Sequence, residues 1–233
     1  MTMLPTDLSK IITAIGGLGT AAFGLLEAAK PAFPFINRMG FARIRDTVKR
    51  LTPSDAKSHQ PVNALPQKNI VESLLANWIN GTDLASQKAI AKSLIKLHLS
   101  PGNSAALAEA TSVDPVVLKQ VATSIISGTA LTQPQRDAYA RFDLIVTALL
   151  DETYQFADQV YRNWTRALAA MIAVALALVA GWGLSDPKTG FWWTQDMALA
   201  LLVGILATPL APIAKDLSTA LASAANALQV VKK

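Results

Sequence analysis

The chain of 233 residues is 52% hydrophobic and only 16% charged, where soluble domains carry about 25% charged residues; this depletion is the direction membrane proteins take. Its net charge of +5 does not point to nucleic acid, because no recognised binding module accompanies it. Arg38, Arg43, Arg45, Lys49, Arg50, Arg162, Arg166, Lys215, Lys232 and Lys233 instead mostly flank apolar runs, as the positive-inside bias arranges them. The absence of cysteine excludes disulfides, thiolate metal sites and cysteine nucleophiles.

Ile11 to Leu26 (IITAIGGLGTAAFGLL) is free of charge, but four glycines thin it, and it reaches spanning length only by running through Glu27 and Lys30 to Pro31. A transmembrane helix is favoured for residues 1–30, with an interfacial or re-entrant helix as the alternative. A cleaved signal peptide is disfavoured, because its n-region lacks positive charge. Glu27 and Lys30 can pair at i, i+3. Gly16, Thr20 and Gly24 form a small-residue row at four-residue spacing, of the kind that lets helix backbones approach in lipid, so this segment demands a partner surface.

Pro31 to Pro34 breaks the helix. Residues 31–67 then read as a basic amphipathic segment and a linker. Phe41, Ile44, Val48 and Leu51 share one helix face, while Arg43, Arg45, Lys49 and Arg50 lie elsewhere. Such a helix suits an anionic lipid surface or ordinary packing on protein. Thr52 to Gln67 has a linker's composition, rich in proline and small polar residues. His59 within it has only Asp55 nearby and reads as solvated.

Residues 68–163 read as a small all-helical bundle with short turns. Helices are expected at Asn69–Asn80, with Ile70, Leu74, Leu75 and Trp78 inward, and from Thr82 or Asp83 to about Leu99, with Ile90, Leu94 and His98 in one row. A short one follows at Ser104–Ala110. The next starts at Asp114-Pro115, an N-cap followed by proline in the first turn, and stops at Gly128, with Val117, Val121, Ile125 and Ile126 as its apolar face. His98 reads as a packed, satisfied histidine. No stretch alternates with period two for long enough to make a sheet.

Thr132 and Pro134 open the longest element. Gln135 to Arg166 has neither proline nor glycine, and Phe142, Ile145, Leu149, Phe156 and Val160 offer a seam for packing on the bundle. Asp151 and Glu152 read as its solvated face. Ala167 to Ser185 then carries no charge over a spanning length, so the helix leaves a soluble bundle and enters a membrane without a break. Residues 164–214 read as a two-span hairpin. Arg162, Trp164 and Arg166 stand at its entry, Trp182 at its exit, and Trp192 and Trp193 at re-entry; Met197 to Ala214 is the second span. The tryptophans read as an aromatic belt rather than a stacking site. The spans hold almost no polar groups, which argues against a solute path through one copy.

Residues 215–233 read as an amphipathic helix whose Leu217, Leu221, Ala224, Leu228 and Val231 suit packing on protein. The loop between the two spans holds only Lys188, against Arg162, Arg166 and Lys215 at their other ends. That asymmetry puts the bundle and the C-terminus in the cytoplasm.

Two stretches, GLGTAAFGLLEAAKP (Gly17 to Pro31) and TPLAPIAKDL (Thr208 to Leu217), resemble a group of uncharacterised bacterial integral membrane proteins. Those have an N-terminal hydrophobic helix, a helical middle region and a C-terminal two-span hairpin. The aromatic and basic motif expected before the hairpin is not cleanly present in YRNWTRAL (Tyr161 to Leu168). The resemblance implies a layout and no activity.

The expected class is an all-α membrane protein of the cytoplasmic (inner) membrane, with two or three transmembrane helices, a small cytoplasmic helical bundle, and one long helix continuous from bundle into membrane. There is no phosphate-binding glycine loop, H-E-x-x-H motif or nucleophile elbow, so neither an enzyme nor a cofactor or metal is expected. The leading expectation is a structural or accessory subunit of a membrane complex, its partners being membrane lipid and other membrane subunits or copies of itself. A homo-oligomeric channel or pore component and a membrane-anchored adaptor recruiting a soluble partner are the alternatives.

Overall fold

The computed structural model describes residues 5–53, 66–185 and 190–210, with side chains from residue 13 onward. Among the described residues every regular element is a helix and no strand occurs. In chain order these are α1 (Pro5–Ala29), α2 (Pro34–Asn37), α3 (Phe41–Leu51), α4 (Gln67–Ile79), α5 (Leu84–His98), α6 (Ser104–Thr111), α7 (Pro115–Ser127) and α8 (Gln133–Leu184). A further helix, α9, covers Gln195–Leu210. The chain divides into two compact units, one formed by Phe35–Tyr161 and the other by Met1–Pro34 with Arg162–Lys233; the division falls inside α8.

In the Phe35–Tyr161 unit, local chemistry sets the helix ends. Asp83 caps α5 by accepting the Ser86 N–H at 2.9 Å. Asp114 caps α7 by accepting from Val116 at 2.8 Å and Val117 at 3.0 Å, with Pro115 next in the first turn. Each such cap satisfies helix N–H groups that have no partner within the helix. Gly128, at φ +69°, closes α7 in the left-handed region, which glycine enters without a Cβ penalty.

The core of this unit is built from large side chains: Phe41, Ile44, Val48 and Leu51 of α3 with Ile70 and Leu74 of α4, Ile95 of α5, Leu107 of α6, Leu118 and Val121 of α7, and Phe142, Val146, Leu150 and Tyr154 of α8. The basic helix α3 is therefore part of the bundle rather than of a separate 31–67 segment, because its whole apolar face is buried there. Gly40 permits this. It sits at φ +86°, and a Cβ on it would strike the backbone carbonyl of Ala157.

Three expected faces are corrected. In α7 the inward stripe is Leu118, Val121 and Ala122, and Ile125 and Ile126 are exposed. In α8 the seam is Phe142, Val146, Leu150, Tyr154 and Ala157; Ile145 and Leu149 flank it, and Phe156 is exposed. In α5, Ala91 and Ile95 point inward with Gln87 and His98, while Ile90 and Leu94 lie at the rim. The physical reason is shared: apolar residues lie on both sides of each true stripe, so the sequence offers more than one candidate face, and the neighbouring helices decide which is buried.

In the other unit, α1, the later part of α8 and α9 pack as one cluster of Ile15, Ala22, Ala173 and Ala207, with Leu18, Ile172, Val203 and Leu210 against it. Here backbones approach closely. A Cβ on Gly204 of α9 would lie 2.6 Å from the Val174 Cα of α8, and one on Gly181 would lie 3.0 Å from the Phe191 ring. Phe191, in the turn before α9, is buried, while its neighbours Trp192 and Trp193 are exposed. The end of α1 carries the expected i, i+3 pair, Lys30 Nζ to Glu27 Oε1 at 2.5 Å.

Candidate functional site

One helix among the described residues, α8, is long and apolar enough to cross a membrane; Thr13–Ala29 and Gln195–Leu210 are apolar but shorter. Only 17% of the apolar window of α8 is buried, whereas the central helix of a soluble core is mostly buried. The side chains on its two faces explain this. Ala169, Ala173 and Ala177 point inward, and Trp164, Met171, Val179, Trp182 and Leu184 point outward. In α9, Gly204 and Ala207 are inward, and Leu199, Leu202 and Ile205 outward.

The outward face of α1 differs from both. From Thr13 to Gly24 its exposed residues are Thr13, Ala14, Gly17, Thr20, Ala21 and Gly24, all small; the exposed Leu25, Glu27 and Ala28 follow near its end, while Ile15, Ala22 and Leu26 are buried. The expected row of Gly16, Thr20 and Gly24 is thus displaced at one end. Gly16 is buried, and Gly17 takes its place on the exposed side. A Cβ at Gly17 or Gly24 would meet nothing within 4 Å. The Thr20 hydroxyl donates to the Gly16 carbonyl at 2.9 Å, so its polarity is satisfied within the helix. Between α1, α8 and α9 lies an open cleft of about 530 Å³, lined mostly by alanine, glycine, leucine and valine, with Ser185 and Asp196 as its polar residues.

The residues expected at a membrane interface, Arg162, Trp164, Arg166, Trp182, Trp192 and Trp193, are all exposed. Trp193 holds φ +66°, an uncommon conformation for a bulky residue, in a turn tied by the Thr194 hydroxyl donating to the Phe191 carbonyl at 2.6 Å.

Arg43, Arg45 and Lys49 are exposed on α3. Arg43 reaches Glu152 at 2.6 Å and lies 4.2 Å from the centre of the Phe156 ring. Arg45 pairs with Asp46 at 2.9 Å. A shallow polar cleft of about 520 Å³ runs between Arg43, Thr47 and Arg50 of α3 and Glu152 and Phe156 of α8.

The bundle holds an ion-pair ladder that sequence reading missed. Lys88 pairs with Asp151 at 2.5 Å, and Lys92 and Lys96 share Asp143 at 2.7 and 3.0 Å. Asp151 and Glu152 therefore do not form one solvated face. Being adjacent, they point about 100° apart and engage two different helices. The missed signal is the spacing itself: lysines at i, i+4 and i+8 on α5 face aspartates eight apart on α8. Partial burial pushes Asp143 upward, but the hydrogen bonds and charges of Lys92 and Lys96 outweigh it and hold the carboxyl below its ordinary range.

His98 is buried, its Nε2 3.1 Å from the Pro53 carbonyl, as a satisfied structural histidine would be. The Tyr154 phenol is held protonated by burial, and its hydroxyl makes no hydrogen bond among the described residues. No three of His, Asp and Glu lie close enough among the described residues to hold a metal ion. His59, Lys188, Leu217, Leu221 and Leu228 lie outside the described residues. Compared with family models, curated proteins and solved structures, the chain finds no match in any of the three.

Proposed function

We propose that the chain is a non-enzymatic structural or accessory subunit of a cytoplasmic-membrane complex, with α1, the later part of α8 and α9 in the bilayer and the bundle in the cytoplasm. The observation that carries this reading is the contrast between outward faces. Those of α8 and α9 are large and apolar, which suits lipid tails. That of α1 is small from Thr13 to Gly24, with the larger Leu25 and Glu27 exposed only near its end, which suits the backbone of a neighbouring helix along most of its length.

Magnitudes support the second half. An exposed glycine costs a helix about 1 kcal/mol relative to alanine, and α1 carries two, at Gly17 and Gly24. Neither is needed for contacts inside the unit. Their cost is recovered only where another backbone approaches. The sidedness follows from Arg162 and Arg166 at one end of the hairpin and Lys215 beyond the other.

The test is gentle detergent extraction of the tagged full chain, native mass determination, and identification of what accompanies it. Unrelated membrane subunits in constant ratio, lost in Gly17→Leu and Gly24→Leu while the variants stay in the membrane fraction, are the expected result. A ring of this chain alone would replace the reading with the pore component. A lone monomer would sink both and leave the adaptor, whose soluble partner should survive deletion of the spans.

A further inference from the structure

We propose that the cleft between α1, α8 and α9 holds one acyl chain of a membrane lipid whose ammonium headgroup pairs with Asp196. This rests on the membrane reading above and names the class of lipid that this unit takes. The cleft's volume of about 530 Å³ lies within the range of ligand sites, about 300–1,000 Å³. Leu18, Ala177, Ala180, Leu199 and Val203 give it apolar walls. In a bilayer an unfilled cleft forfeits dispersion contacts on every wall, and acyl chains are what surrounds it.

Length decides between a lipid chain and a helix. Leu184 lies 18 residues beyond Arg166, about 27 Å along α8, so it stands at the far edge of a hydrocarbon core about 30 Å thick. Trp182 and Trp193, each three residues before a polar residue of the cleft, are exposed, as interface tryptophans are. From that edge the cleft runs inward along Leu184 to Ala177 and Asp196 to Val203, about 10 Å of each helix. Deeper in, the helices close up: a Cβ on Gly204 would lie 2.6 Å from the Val174 Cα, and Ala22, Ala173 and Ala207 pack together. A chain from one leaflet, about 15 Å deep, suits a cleft that stops there; a helix crossing the bilayer does not. Leu18 also lies about 100° around α1 from Gly17, so the small face of α1 stays open to a protein partner.

The mouth sets the headgroup. Among the described residues Asp196 is the only ionisable one lining the cleft, and it makes no ion pair there. The Ser185 hydroxyl donates to the Trp182 carbonyl at 2.8 Å, which leaves its oxygen free to accept. A negative charge beside an accepting oxygen calls for a cation with N–H donors. The primary ammonium of ethanolamine, like that of lysine, has three. The quaternary ammonium of choline has the charge without a donor, and an anionic glycerol headgroup lacks the charge.

The full chain is placed in nanodiscs of phosphatidylethanolamine, phosphatidylcholine and phosphatidylglycerol in equal parts. The lipid it keeps on ejection from the disc is identified by native mass spectrometry. The expected result is one retained lipid per chain, with phosphatidylethanolamine enriched about threefold over its share, the order that one partly exposed ion pair supplies. Asp196→Asn, which keeps the shape of the side chain, should retain a lipid but lose the enrichment. Ala180→Phe, whose ring would fill the cleft from an exposed position, should retain none. No retained lipid, retention that merely follows the disc composition, the same enrichment in Asp196→Asn, or undiminished retention in Ala180→Phe overturns the proposal. Because the chain has no cysteine, Ala180→Cys gives a single cross-linking site. Its cross-linking to another subunit or to a second copy would assign the cleft to a helix and also overturn the proposal. If the chain fails to enter discs at all, the membrane reading itself falls, and that is seen before any lipid is counted.

Discussion

Helix α8 presents an inward stripe of the same spacing to each unit and fills the two with opposite residues. In the Phe35–Tyr161 unit, Phe142, Val146 and Leu150 stand at i, i+4 and i+8 and are buried; past Arg162 the same spacing holds Ala169, Ala173 and Ala177, also buried. Outward the contrast reverses, with Arg141 and Lys-paired Asp143 and Asp151 on the first half, and Met171 and Val179 on the second. Where water surrounds a unit, burying large apolar side chains is the main driving force. Where lipid surrounds it, that force vanishes, and close packing of small residues is what remains. On the membrane reading proposed above, one helix carries two folding logics.

The comparison breaks most readily at the cores. Phe142→Ala should cost the bundle about 3–5 kcal/mol, the range for a fully buried phenylalanine, read as a drop in its chemical-denaturation midpoint. The exposed faces come next. Leu144 and Val179 sit on the same helix with 68% and 65% exposure, yet Leu144→Asp should change stability by no more than about 0.5 kcal/mol. Val179→Asp should disfavour insertion by about 2.5–3.5 kcal/mol, seen as loss from the membrane fraction. Equal tolerance at both positions would mean that the second half of α8 also faces water. Gly204→Leu reverses the first test. In this unit enlargement is what hurts, because the Val174 backbone lies where a Cβ would go. Overpacking of this kind costs about 1–3 kcal/mol, measured as easier separation of α8 from α9 in denaturing detergent.

What could be read from the sequence divides along similar lines. Helix ends were legible where one or two residues settle them: Asp114-Pro115 and Gly128 bound α7 as local chemistry requires. The continuity of α8 was legible because nothing from Gln135 to Arg166 interrupts it. Inward faces were less so, since Ile125 and Leu118 are equally apolar and only the positions of neighbouring helices choose between them. Glycines in apolar runs were hardest. Gly17 stays open to the outside while Gly204 and Gly181 are filled by Val174 and Phe191, and no local pattern separates these cases. The Asp143 ladder joins residues 47 and 51 positions apart, beyond any window a periodicity argument uses.

That ladder gives a small effect and the sharpest contrast in pH. Because Asp143 is held below the ordinary 3.8 in the folded bundle, the unfolded chain takes up a proton first as pH falls. Its contribution is complete above that ordinary value and is lost as pH drops through the folded one. Lys96 works at the other end. Partial burial pushes it down, but the Asp143 and Tyr139 hydrogen bonds outweigh this and hold it above 10.5. Its contribution is therefore present below that value and fades as pH rises through the folded one. Pairs this accessible to water are worth roughly 0.2–1 kcal/mol each. Asp143→Asn should cost the bundle about 1 kcal/mol near neutral pH, and its melting curve should converge with that of the unsubstituted chain as the acid is titrated. The Gly204→Leu defect, being steric, should stay constant over the same range. A mutant difference at Asp143 that persists unchanged into acid would mean that the carboxylate acts through packing rather than through its charge.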